Sequence, residues 1–166
     1  MGILVRTFVI RVGLAGACLA GAAVPALADA TAFVGLTATP TARRAAGFAV
    51  GGGLPIIRWE IEYSRTLEDL ARAAPYVHTV MGNLVVQVPV PIRRMRFYGT
   101  TGLGIWGESS RNGIGDIATG TNIGGGAMMT LAGPLRLRLD YRVFSFRGSP
   151  DDPKRQRFYA GLNLAF

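Results

Sequence analysis

The sequence predicts an all-β fold: one eight-stranded antiparallel β-barrel whose outer face contacts lipid, with short turns at one end and longer loops at the other. Three observations lead there. Residues 135–143 and 157–166 alternate apolar and polar side chains with period two, as a strand with two unlike faces must. After Ala28 no stretch approaches the roughly 20 consecutive apolar residues that a spanning helix needs, so a membrane-embedded mature chain has only the closed barrel available. Short Pro- or Gly-marked connections also alternate with longer polar ones, the rhythm of a barrel with tight turns below and loops outside.

The composition agrees. A chain of 166 residues has room for one ordinary domain, and 49% apolar against 17% charged residues does not describe a disordered one. Its 23 glycines are spread through the strand-like stretches, which suits a narrow barrel wall better than a Rossmann-type or bundle core. Residues 1–28 read separately, as a cleavable signal peptide. Arg6 and Arg11 precede an apolar run over 12–27, and Ala26-Leu27-Ala28 supplies the small residues of a cleavage site before Asp29. Pro25 argues against a permanent helix. Cys18 offers a lipoprotein alternative, but Leu14 stands four residues ahead of it rather than three. Removal of the leader takes away the only cysteine and lowers the formal charge from +8 to +6, leaving residues 29–166 as the barrel domain without a disulfide. For an exported chain that basic balance points to anionic lipid headgroups, and nucleic acid is not an expected partner.

Taken in order, the strand stretches are about 31–38, about 45–53, then Ile57, Trp59, Ile61 and Tyr63 alternating with Arg58, Glu60, Glu62 and Ser64. Residues 76–88 follow, with Asn83 and Gln87 on the inner face. Next come Met95, Phe97, Thr101, Leu103 and Ile105 against Arg94, Arg96, Tyr98, Thr100 and Gly102. A weaker stretch covers about 120–131. Leu135, Leu137, Leu139, Tyr141 and Val143 oppose Arg136, Arg138, Asp140 and Arg142, and a helix would scatter those arginines where a strand gathers them. The last stretch sets Phe158, Ala160, Leu162, Leu164 and Phe166 against Arg157, Tyr159, Gly161, Asn163 and Ala165. The connections are 39–44, 54–55, 66–75, 89–92, 108–119, 132–134 and 148–154. Thr66-Leu-Glu-Asp69 has capping-box-like spacing, and Leu67, Leu70 and Ala74 could share a helical face, so one or two helical turns or an irregular loop is expected there.

These residues resemble the small outer-membrane β-barrel proteins related to the OmpA and OmpX barrel group, loosely called porin-like. The features are Phe158, Ala160, Leu162, Leu164 and terminal Phe166, similar to the family's C-terminal insertion signal; Leu137-Arg-Leu-Asp-Tyr-Arg142, similar to its penultimate strand; and Gly51-Gly-Gly-Leu54 leading to Glu60-Ile-Glu-Tyr63. The resemblance spans essentially all of 29–166. It implies a bacterial outer-membrane location, and for Phe166 recognition by the barrel-insertion machinery. No peptidoglycan-binding domain follows the barrel stretch, so cell-wall anchoring is not implied.

The chemistry on offer is narrow. His78 is the one histidine, so neither a His/Cys metal cluster nor a cofactor site is expected. A Ser-His-acid set built on His78 with Ser64, Ser109, Ser110 or Ser145 lacks a serine motif, and His78 shares the outward parity of Val80, Leu84 and Val86. Gly102-Leu-Gly-Ile-Trp-Gly107 matches GxGxxG but lies inside a strand pattern, not at a strand-to-helix turn. No catalytic residue is therefore assigned. The informative set is the inner stripe: Arg58, Glu60, Glu62, Arg94, Arg96, Arg136, Arg138, Asp140 and Arg142. An eight-stranded barrel holds packed side chains or one small ligand, and buried charges need partners, so these nine should interlock as a plug. Arg43, Arg44, Arg72, Arg111, Lys154 and Arg155 fall in the external loops or rims, where guanidinium groups suit lipopolysaccharide phosphates. Trp59, Tyr63, Tyr76, Trp106 and Tyr141 are candidate interfacial aromatics. The leading expectation is a monomeric, non-enzymatic structural barrel contributing to envelope integrity. A small polar-solute pore and a lipid A-modifying enzyme are the alternatives.

Overall fold

The computed structural model describes residues 28–38, 41–72, 74–110, 113–147 and 154–166. The expected leader, apart from Ala28, and Arg111 lie outside them, as does most of the connection over 148–154. The strands are β1 (Asp29–Thr37), β2 (Arg43–Gly53), β3 (Ile57–Thr66), β4 (Tyr76–Gln87), β5 (Met95–Ser110), β6 (Gly113–Ala132), β7 (Leu135–Phe146) and β8 (Lys154–Ala165). They form a closed barrel in chain order, each antiparallel to its neighbours. Closure runs through β1 and β8, paired from Asp29 opposite Ala165 to Thr37 opposite Arg157. Ala28 and Phe166 extend that seam, exchanging N–H···O bonds of 3.1 and 2.9 Å. No strand is left with an unpaired edge, which is the condition for β structure in hydrocarbon.

The faces follow the alternation. On β7, Arg138 and Arg142 are 5% and 1% exposed while Leu139 between them is 48% exposed. On the other strands Leu103, Val34, Ile123 and Leu162 stand outward with more than half their surface uncovered. An apolar outer surface of this extent is untenable in water and is what a lipid-facing wall presents.

Ala28, the C-terminal Phe166 and the short turns lie at one end, here the terminal end; the other is the loop end. At the terminal end Leu54 N–H donates to Ile57 O at 2.9 Å to close β2–β3, and Gly133 takes φ +51° between β6 and β7, a conformation that favours glycine. Between β4 and β5 a two-residue turn places Arg93 and Arg94 at φ 49° and 69°, with Ile92 and Met95 bonded both ways at 2.8 and 2.9 Å. At the loop end, residues 67–75 contain a 3-10 turn, Leu70–Arg72, whose Ala71 N–H is held by Asp69 Oδ1 at 3.1 Å. Asp69 provides the cap; Thr66 belongs to β3 and meets Thr37 at 3.2 Å inside the wall.

One connection departs from expectation. Residues 108–119, read as a loop, are mostly an extended hairpin, since β5 runs to Ser110 and β6 starts at Gly113, with a register shift between Gly107 and Ser109. The ladder runs on through a register shift, and across such an irregularity a simple period-two alternation no longer marks the strand.

Candidate functional site

Inward parity on β3, β5, β7 and β8 brings polar side chains into the middle of the barrel. Glu60 lies between Arg138 and Arg142: it accepts Arg138 Nη1 on Oε2, and Arg142 Nη2 at 2.9 Å and Asn83 Nδ2 at 3.2 Å on Oε1. Asp140 Oδ2 accepts Arg138 Nη2 at 2.8 Å, Arg142 Nη2 at 3.0 Å and the Tyr98 hydroxyl at 2.8 Å. Glu62 forms an ion pair with Arg142 at 2.8 Å and accepts the Tyr159 hydroxyl at 3.2 Å. Arg157 donates to Ser64 Oγ at 2.6 Å, and its guanidinium carbon sits 4.3 Å from the centroid of the Phe144 ring. The belt thus sets Glu60, Glu62 and Asp140 against Arg138, Arg142 and Arg157, three charges of each sign, all buried. Mutual compensation is what makes such a desolvated set tenable.

Glycine parity leaves room for this belt. Asn122 Nδ2 donates to Asn83 Oδ1 at 2.8 Å directly over Gly102, where an added Cβ would stand 2.1 Å from Asn83 Oδ1. That close approach, inside β5, accounts for the first glycine of the GxGxxG match. The cavity within the belt measures about 10 Å³, room for at most about one water. Toward the loop end Phe33, Val77, Met81, Trp106, Phe144 and Phe146 pack as an apolar layer, so the interior is closed twice over.

Of the nine residues read as one interior network, Glu60, Glu62, Arg138, Asp140 and Arg142 meet in the belt. Arg58 pairs separately with Asp29 near the terminal end. Arg96 and Arg136 are only partly buried at the terminal mouth, and Arg94 is a correction: it is exposed in the turn ahead of β5, since the strand begins at Met95 and the two-face alternation does not hold in the left-handed turn before it. The sequence reading missed Tyr98, Arg157 and Tyr159 as members of the network, although their parity was inward.

Two of the loop-end cations are also corrected. Arg43 is buried as the first residue of β2 and donates to Pro75 O at 2.8 Å, and Arg155 is buried beside Glu108 at 3.4 Å with its guanidinium 5.3 Å from the Phe146 centroid. Both are strand residues of inward parity, so neither faces the exterior. Arg44, Arg72 and Lys154 are exposed at that end. Arg72 bonds Asp69 at 2.7 Å, and that hydrogen bond, with the Arg72 charge, holds the Asp69 carboxyl below the ordinary aspartate range. Trp106 is not an interfacial anchor: it is 6% exposed, stacks on Phe146 at 4.8 Å and donates its indole N–H to Arg147 O at 3.3 Å. Trp59 and Tyr141 do face outward, at 53% and 39% exposure.

His78 faces outward in a mostly apolar groove of about 380 Å³ shared with Val80, Ile105, Ser109 and Ile117. Its Nδ1 shares a hydrogen bond of 2.9 Å with the Tyr63 hydroxyl, and among the described residues no serine takes that place. No group of three or more His, Cys, Asp and Glu side chains suited to a metal occurs among the described residues.

Solved structures share this architecture. Neisserial surface protein A superposes with a TM-score of 0.66 at 10% identity, covering 85% of this chain and 96% of that one. This is the fold of the small outer-membrane β-barrels. The N-terminal β-barrel domain of Pseudomonas aeruginosa OprF gives 0.61 at 15% identity, over 82% of this chain and 96% of that domain. The outer membrane enzyme PagL gives 0.53 at 13% identity, over 82% and 98%. No family model and no curated relative matches the chain. The resemblance read from the second, third, seventh and eighth strands is therefore borne out as an outer-membrane barrel fold, one that is also the fold of an outer membrane enzyme.

Proposed function

We propose that the chain is a monomeric outer-membrane barrel whose role is structural, contributing to envelope integrity, with its short turns in the periplasm and its loop end outside. The single observation that carries this reading is the filled, charge-matched interior: Glu60, Glu62 and Asp140 pair with Arg138 and Arg142, Arg157 is held by Ser64 beside them, and the cavity left among them is about 10 Å³ under an apolar layer, which leaves no room there for a solute or a substrate. On this reading the outward row Phe158, Leu162, Leu164 and Phe166 serves as the insertion signal, with Phe166 as the residue that the insertion machinery recognises. Of the cations expected to meet lipopolysaccharide phosphates, Arg44, Arg72 and Lys154 are the ones that stand exposed at the loop end, with Arg72 also bonded to Asp69.

Planar-bilayer recording tests the central part. The folded protein should add no stepwise conductance; discrete, reproducible openings would transfer the function to a polar-solute pore. The likeness to PagL keeps an envelope lipid-modifying role in view, and its natural site would be the groove at His78. Lipid A from cells with and without the protein should have the same acyl composition. A change that disappears with His78→Ala would overturn the structural reading.

A further inference from the structure

At the terminal end the wall opens into a second cavity, of about 410 Å³, lined by Arg94, Arg96 and Arg136 together with Pro91, Met128 and Leu131. Among the described residues none of the three guanidinium groups forms an ion pair with a carboxylate: Arg96 meets the Gln87 Oε1 at 3.4 Å, and the carboxylate of Asp29 is engaged by Arg58. Gln87 itself is 2% exposed, and its Nε2 has no hydrogen-bond partner among the described residues. Three guanidinium groups thus line this mouth without an ion pair among the described residues, and buried Gln87 meets one of them, Arg96.

The turn adds an independent observation. Arg93 and Arg94 occupy the two left-handed positions of a two-residue hairpin, where Asn-Gly would sit without strain. The chain holds arginine there, and Arg94 thereby reaches the cavity rim. Planar guanidinium forks converging on one space match a tetrahedral oxyanion, and fixed positive charge in a partly walled cavity concentrates its counter-ion.

From this geometry we propose that the terminal mouth is a phosphate-binding site, taking either free inorganic phosphate or the phosphodiester of a phospholipid headgroup in the adjoining leaflet. Arg96 and Arg136 hold the anion from the wall, Arg94 closes over it from the turn, and the Gln87 amide fixes Arg96. The site depends on the barrel fold alone and not on the structural role proposed above.

The test uses the full mature chain folded in maltoside micelles, which contain no phosphorus, titrated with inorganic phosphate while chloride keeps ionic strength constant. Phosphate 31P line broadening and calorimetry should saturate. Arg96→Gln with Arg136→Gln should weaken binding by at least about tenfold, the loss expected for charge-assisted hydrogen bonds. Arg93→Asn with Arg94→Gly should weaken it too while relieving the turn, so a folding defect cannot explain the loss. Phosphatidylglycerol mixed into the micelle distinguishes the sources: displacement of phosphate assigns the headgroup, and undisturbed binding assigns the free ion. Absence of saturation in a sample whose barrel is intact on an unboiled gel would overturn the site. So would saturation that both double variants leave unchanged.

Discussion

Arg142 touches all three carboxylates of the belt, lying 2.8 Å from Glu62, 2.9 Å from Glu60 and 3.0 Å from Asp140. Deleting one partner of a buried pair leaves charge that neither water nor protein neutralises, whereas deleting both removes the demand. Arg142→Met should therefore lower stability by about 3–5 kcal/mol in urea unfolding from lipid vesicles. Pairing it with Glu62→Met should recover part of that loss, because one of the stranded carboxylates is gone. Equal losses for the single and double variants would mean that the belt is not energetically coupled. At this scale the legible residues were those on strictly alternating strands: Arg138, Arg142 and Leu162 were assignable because a strand has only two faces. Trp106 was misread through its residue type, since a tryptophan near a rim suggests an interfacial anchor while its parity beside Ile105 already pointed inward. Arg43 and Arg155 were lost differently, standing at strand ends where arginine looks like loop.

Each strand carries its depth in its register. Leu103 lies in mid-wall, opposite Gly82 and Thr121, and is 73% exposed, while Ile57 opens β3 at the terminal rim. An outward arginine costs about 2–4 kcal/mol at the bilayer midplane and about 0–1 near the interface. Leu103→Arg should thus destabilise the barrel in vesicles by about 2–4 kcal/mol and Ile57→Arg by no more than about 1 kcal/mol. A reversed order would place the membrane elsewhere on the wall. Strand boundaries were readable only as far as lipid imposes them. Within the wall, alternation marks both faces; beyond Gly107, β5 continues to Ser110 and β6 begins at Gly113 over a stretch, 108–119, whose sequence reads as a loop. The same loss of constraint misplaced Arg94, one residue outside β5.

The whole molecule joins two solvents through one wall. Its outer surface is apolar because lipid is outside, and its interior carries paired charges because eight strands enclose a space too narrow for water to hydrate them. Closure was legible because no other β arrangement satisfies the backbone in hydrocarbon, and the seam from β1 to β8 is where it is achieved. The separation of the interior into an ionic belt, an apolar layer and a basic mouth was not legible, since parity says which way a side chain points but not which neighbours it meets across the barrel. The most direct test of a closed, internally bonded wall is electrophoresis of the membrane fraction with and without boiling in SDS. Closure predicts a compact unboiled band that shifts to the migration of the unfolded chain on heating; a single band at one position in both lanes would contradict it.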